Sequence, residues 1–195
     1  MDTIRELGNV DVYVIDQLLK GAIRKDQRLL DAGCGSGRNF SYFANKNFNI
    51  TGIDPKEEHI RNLQQKHPNL SHQLLHSSIE DFQPKKPFDY IICNAVLHFA
   101  HNHVHFEQLF ERLVSFLEKD GILFIRMTSN HGMTELGKSD DGVYELPDQS
   151  TRYLITRGRL SQLCVKHNLV MEAPFKSVLV EDWRSMATMV LRKTV

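Results

Sequence analysis

Three glycines, Gly33, Gly35 and Gly37, alternate with single residues in the segment L-L-D-A-G-C-G-S-G-R-N at positions 29–39. They stand between an apolar run and a helix expected to open near Arg38. Residues without a Cβ let the backbone take positive φ and let a ligand come close, and a helix N-terminus offers unpaired N–H groups. Such a loop suits a nucleotide-like ligand. Asp54 ends the next apolar run in T-G-I-D, about twenty residues beyond the first glycine, where an acidic side chain accepts from ribose hydroxyls. The dinucleotide spacing G-x-G-x-x-G/A is not met: counting from Gly33 puts Arg38 in the last place, and counting from Gly35 puts Phe40 there. An NAD-dependent oxidoreductase is therefore the weaker alternative.

Four histidines, His98, His101, His103 and His105, invite a metal reading. Their spacing is irregular, they straddle a loop and a helix start, and no cysteine or carboxylate cluster accompanies them, so no metal site is predicted. Arg126 and His131 fall at the end of the fifth apolar run, on the carboxyl-end rim where open α/β sheets bind ligands. Trp183 and Arg184 offer an aromatic and cationic surface to an anionic acceptor.

These side chains need a scaffold, and the patterning supplies one. Strands are predicted at 28–32, 49–53, 72–75, 88–94 and 121–126. Helices are predicted at 39–45, 57–67 and 104–117, the last with Phe106, Leu109, Phe110, Leu113 and Leu117 on one face. Val10, Val14, Leu18 and Leu19 give an N-terminal amphipathic helix over 10–23. Alternating strands and helices predict βαβ units and a doubly wound α/β fold with helices on both faces. Residues 129–150 break the pattern with Gly132, Gly137, Gly142 and Pro147, and residues 129–155 are expected to form a substrate-covering insertion. Thr156 is placed to cap a helix reaching His167, and β-rich runs at 169–180 and 186–192 close the sheet edge. One domain over 1–195 is expected, with a helical cap at 1–27.

Lys plus Arg and Asp plus Glu each total 24, so no overall field draws a polyanion, and nucleic acid is not an expected partner. Cys34, Cys93 and Cys164 are odd in number and far apart, which argues for a reducing compartment. Positions 1–8 lack an apolar leader core, and no apolar run approaches a membrane span, so a cytoplasmic location is expected. The oligomeric state is left open.

The D-A-G-C-G-S-G loop and Asp54 together resemble the first two motifs of class I S-adenosylmethionine-dependent methyltransferases. S-S-I-E-D at 77–81, F-D-Y-I-I-C-N-A-V-L-H at 88–98 and D-G-I-L at 120–123 extend the likeness over most of the chain. The resemblance implies a Rossmann-like, seven-stranded, mostly parallel sheet with an antiparallel final strand. It implies S-adenosylmethionine as cofactor, held by Asp31, Gly33, Gly35, Gly37, Asp54, Ser78, the backbone of Ile79, and Asn94. Ser78 stands where the family usually has an acidic residue, which leaves a weaker adenine contact or a shift of that role to Glu80. His98 falls near the substrate mouth as base or orienting group, with Arg126 and His131 as further catalytic candidates.

Methyl transfer is an in-line displacement for which the protein mainly aligns the nucleophile; an alcohol or weak amine needs a base, a soft nucleophile does not. The fourth-strand sequence N-A-V-L lacks the N/D-P-P-Y/F motif of exocyclic-amine methylases, which points to a small-molecule acceptor. G-C-G-S-G-R-N and M-A-T-M-V-L-R-K are similar to the tellurite-resistance and thiopurine-type branch. A-V-L-H-F-A, L-P-D-Q-S-T-R-Y and V-E-D-W-R-S-M resemble a set of small bacterial methyltransferases. Outside enzymes, the alternative is a sensor or scaffold that binds the cofactor without turnover.

Overall fold

The structure, a computed structural model, describes residues 6–134, 136–181 and 183–195. The first five residues of the expected N-terminal cap lie outside the described residues, as does Asp182 of V-E-D-W-R-S-M. In chain order the elements are α1 (Val12–Leu19), β1 (Arg28–Ala32), α2 (Phe40–Asn45), β2 (Asn49–Asp54), α3 (Glu57–Lys66), β3 (Leu74–His76) and β4 (Phe88–Asn94). They continue as α4 (His103–Ser115), β5 (Leu117–Ser129), β6 (Val143–Glu145), β7 (Thr151–Tyr153), α5 (Arg157–Lys166), β8 (Leu169–Met171), β9 (Lys176–Val180) and β10 (Arg184–Lys193). The main sheet runs β3-β2-β1-β4-β5-β10-β8, the expected seven, and β9 adds an eighth strand on β10. The chain divides into two compact units, 1–92 and 93–195, each described in turn.

In the first unit, β1 after its opening Arg28 is apolar except for Asp31, and Leu29, Leu30 and Ala32 are buried outright, as befits a central parallel strand. β2 and β4 flank it in parallel, with Leu30 opposite Thr51 and Ile91. Phe40 and Phe43 of α2 and Ile60 and Leu63 of α3 are also buried; each such side chain stabilises the fold by about 1.5–3 kcal/mol. α1 begins at Asp11, whose carboxylate accepts the Tyr13 N–H at 2.9 Å.

In the second unit, α4 buries Phe106, Leu109, Phe110 and Leu113, the stripe set by its 3.6-residue period. Asn102 caps it by accepting the His105 N–H at 2.9 Å. Leu117, expected to end this helix, opens β5 instead. That strand is 13 residues long and outruns the predicted 121–126 at both ends. Its partner explains much of the extension: β10 pairs with it antiparallel from Ser185 opposite Ser129 to Arg192 opposite Ile122. The run predicted at 169–180 divides into β8 and β9 around Pro174, which has no N–H for a ladder. Each then pairs with a different stretch of β10.

The stretch that looked irregular contains a hairpin. β6 and β7 pair antiparallel, with Tyr144 opposite Arg152. Leu146 donates to the Ser150 carbonyl at 2.9 Å, and the Asp148 carboxylate accepts the Ser150 N–H at 3.0 Å, closing the turn. Tyr153 fixes the hairpin to the rest of the unit: its ring stacks on Phe106 at 4.3 Å, its hydroxyl meets His103 Nδ1 at 2.9 Å, and its carbonyl accepts from Thr128 Oγ1 at 2.9 Å.

Candidate active site

The glycine loop begins where β1 ends and is held by the end of β2. Gly33 and Cys34 both donate to the Ile53 carbonyl at 2.9 Å. Gly37, at φ 89°, has no room for a side chain, since a Cβ there would stand 2.4 Å from Leu63 Cδ2 and 2.8 Å from Ser41 Oγ. Gly35, at φ 53°, is the opposite case: nothing lies within 4 Å of where its Cβ would be. The middle of the loop thus offers bare backbone to open space.

Two acidic side chains lie beneath this loop, with different duties. Asp54 Oδ2 accepts the Gly35 N–H at 2.9 Å, while Oδ1 accepts the Lys56 N–H at 2.9 Å and meets His59 Nδ1 at 3.0 Å. Asp31 accepts the Phe40 N–H at 3.0 Å and so caps α2 from the end of β1. Burial pushes its pKa up to about 7; the Phe40 hydrogen bond opposes that rise and the nearby Asp54 charge adds to it. The buried Cys34 thiol is driven well up by burial, then by Asp31 and Asp54, so it stays protonated and is no nucleophile.

Further along this unit, Ser78 Oγ donates to Asp81 Oδ2 at 2.8 Å and accepts the Asp81 N–H at 3.2 Å, closing a turn in which Ile79 is buried. Arg38 is engaged toward the N-terminal segment: its guanidinium lies 3.3 Å from Asp11 and its Nε donates to the Asn9 carbonyl at 3.0 Å. The segment before α1 is thereby tied to the residue just after the glycine loop.

In the second unit, both amide atoms of Asn94, at the end of β4, are buried without a hydrogen-bond partner. The next residue, Ala95, sits at φ 60°, an uncommon conformation for a residue with a Cβ, and donates to the Arg126 carbonyl at 2.7 Å. Backbone held this way tends to mark functional sites. The resulting turn presents His98, only 7% exposed, with its ring against Phe99 at 4.5 Å and its Nδ1 buried and unpartnered. Burial, then the charges of Arg152, Arg184 and Arg126, lowers the His98 pKa to about 4, so the imidazole is neutral at physiological pH. Arg152 lies over Phe99 at 4.9 Å, and Arg184 is 3.4 Å from Asp148.

The structure therefore brings His98 and Arg126 together and adds Arg152, which sequence reasoning missed. Its only signal was membership of L-P-D-Q-S-T-R-Y; a three-residue strand carries too little periodicity to reveal the hairpin. His131 is placed apart from them, exposed, with its ring 6.1 Å from Phe175 and its Nε2 3.5 Å from Arg157. Trp183 is 54% exposed. Among the described residues, no three His, Cys, Asp or Glu side chains gather to hold a metal ion. His101 stacks on His105 at 4.6 Å, while His103 is engaged by Tyr153. Among the same residues, no helix is long and apolar enough to cross a membrane.

A family model described as a methyltransferase domain matches residues 9–173. Among curated relatives, the trans-aconitate 2-methyltransferase of Escherichia fergusonii is 29% identical over 118 residues, which are 60% of this chain and 45% of that protein. That of Rhodopseudomonas palustris is 27% identical over 117 residues, 59% of this chain and 44% of the relative. The chain thus spans less than half the length of these relatives. A solved structure of 1,6-didemethyltoxoflavin-N1-methyltransferase from Burkholderia thailandensis, with 1,6-didemethyltoxoflavin and S-adenosylhomocysteine bound, superposes with a TM-score of 0.70 at 19% identity. The match covers 100% of this chain and 82% of that one. At this identity the likeness is one of fold.

Proposed function

On the premise that the chain belongs to the methyltransferase-domain family, we propose that it is an S-adenosylmethionine-dependent methyltransferase with a small-molecule acceptor. The observation that carries the proposal is the glycine loop pinned to Asp54, with bare backbone at Gly35 facing open space. The donor set suits the cofactor: Asp54 for the ribose hydroxyls, Gly33, Gly35 and Gly37 for close approach of the chain, and the Ser78–Ile79 backbone for the adenine. In the other unit, the orphaned amide of Asn94 has the donors and acceptor to bind a polar ligand group, whereas an unmet buried amide costs about 1–3 kcal/mol per group. Asp31 supports the loop by capping α2. When bound, the cofactor supplies a sulfonium-activated methyl group.

His98 orients the acceptor. A base with a pKa near 4 takes up a proton poorly at pH 7, so its neutral ring serves as a hydrogen-bonding group. Arg126 stands beside it, and the β6–β7 hairpin within residues 129–155 covers the acceptor. His131, on the exposed rim, has a peripheral place in this reading. The curated relatives, named for a small organic acid, favour a small-molecule acceptor. The test is to incubate the chain with methyl-labelled cofactor and a fractionated metabolite extract, then to compare His98→Ala with the unmodified chain. Turnover of the labelled product should fall about 100-fold while S-adenosylhomocysteine affinity stays within about threefold. Equal loss of both removes His98 from the acceptor site, and no labelled product from any fraction favours a cofactor-binding sensor.

A further inference from the structure

We propose that the first unit contains a second ligand site, separate from the glycine loop, in which Lys25 and Lys66 hold the phosphate of a small, hydroxyl-bearing phosphate monoester and a wall of side-chain amides binds its body. The cleft, of about 560 Å³, is lined by residues between Lys25 and Gln73 and so lies within this unit. The site stands whether or not the glycine loop carries a methyl donor.

Topology separates the two sites. Asp54, which holds Gly35, ends β2, whereas Asn49, in the wall of the cleft, opens that strand. The length of the extended strand puts roughly 17 Å between them. The other walls come from Asn45 at the end of α2, from Lys66 at the end of α3, and from the 3-10 turn Pro68–Gln73 that leads into β3. Phe48, only 8% exposed, adds apolar surface, with the Lys25 ammonium 5.8 Å from the centre of its ring.

Charge selects the phosphate. Among the described residues, no Asp or Glu lines the cleft, and Lys25 and Lys66 give it two positive charges. The Lys66 ammonium is oriented by the Ser41 hydroxyl at 3.2 Å, the same oxygen that His67 Nε2 meets at 3.1 Å. Burial, then the Lys66 charge, lowers the His67 pKa from its ordinary value, so the ring is neutral at pH 7 and adds no third charge. A phosphate monoester carries about 1.5–2 negative charges on one group, and lysine binds phosphate as a point charge. The amides select the rest of the molecule. Asn45, Asn47, Asn49, Asn69 and Gln73 each carry a carbonyl acceptor and an NH2 donor group, the complement of a hydroxyl-rich body. Gln73 Oε1 is buried without a partner among the described residues, an acceptor that a ligand hydroxyl can satisfy.

The experiment is a calorimetric titration of the chain with excess S-adenosylhomocysteine present to occupy the glycine loop. The titrants are ribose 5-phosphate, cytidine 5′-monophosphate, ribose, succinate and inorganic phosphate. At least one of the two phosphate esters should bind as one equivalent with a Kd below about 1 mM, and which of them binds tells a sugar phosphate from a nucleotide. Ribose, succinate and inorganic phosphate should each bind at least about tenfold more weakly. Lys25→Gln and Lys66→Gln should each weaken ester binding about tenfold. Lys25→Arg keeps the charge and should bind within about threefold of the unmodified chain, which separates charge from folding. No binding of either ester, equal binding of ribose or succinate, or glutamine variants that bind the ester unchanged overturns the site. Inorganic phosphate bound as tightly as the esters overturns the amide wall as a recognition surface. Weakened binding in the glutamine variants places the ester in the cleft even if the glycine loop takes no S-adenosylhomocysteine, so failure of the methyltransferase reading is told apart from failure of this one.

Discussion

Around the glycine loop of the first unit, the acidic groups already have partners: Asp31 holds the start of α2, and Asp54 holds Gly35, Lys56 and His59. In the second unit, Asn94 and His98 Nδ1 are buried without partners, and His98 stands in the field of three arginines. The first arrangement is complete before any ligand arrives. The second carries unmet groups whose cost a ligand can remove. Substitutions at the packed end of the loop should therefore lower stability as well as cofactor binding, and those near His98 should act mainly through binding and turnover.

The largest effect expected from this contrast is at Gly37. Gly37→Ala places a Cβ against Leu63 and Ser41 in a backbone conformation hostile to side chains, and should cost about 3–4 kcal/mol of unfolding free energy in urea titration. Gly35→Ala meets open space and should cost only about 1–2 kcal/mol, from the backbone alone. Equal costs would mean that the two glycines are not the packed and open ends of one loop.

Next comes pH, where the two units should respond with opposite signs. The folded pKa of His98, about 4, lies below its ordinary 6.5, so stability present above pH 6.5 is lost as pH falls through about 4. The folded pKa of Asp31, about 7, lies above its ordinary 3.8, so stability present below about pH 4 is lost as pH rises through about 7. In the intact chain these trends oppose each other. His98→Asn should gain on the unmodified chain by about 3 kcal/mol between pH 7 and pH 4, and Asp31→Asn should gain by a similar amount in the reverse direction. Unfolding curves at several pH values check both signs; parallel profiles for all three proteins would refute the assignment.

The legibility of the sequence divides along the same line. β1 and β4 fall where the apolar runs placed them, and the glycine loop was readable because its chemistry is local: spacing, missing Cβ atoms and a carboxylate at the next strand end. His98 was reached through its place after β4, but Arg152 was not. What makes Arg152 part of the group is the docking of a hairpin by Tyr153 and Thr128, with strands of three residues whose alternation is too short to register. The split of the 169–180 run turned on Pro174, and the length of β5 on a ladder with a strand some sixty residues later, which no local window contains.

The smallest effect is at Ala95, where the second unit holds backbone strain. Ala95→Gly should relieve the left-handed conformation and stabilise the chain by about 1 kcal/mol, while leaving the His98 turn less firmly fixed. A destabilising result would show that the Ala95 methyl group contributes packing that outweighs the strain.

The central claim is that the loop between β1 and α2 holds S-adenosylmethionine, and calorimetric titration of the purified chain with S-adenosylhomocysteine and, separately, with NAD tests it most directly. One equivalent of S-adenosylhomocysteine should bind, with no heat from NAD. Binding of NAD, or of neither compound, would contradict the claim.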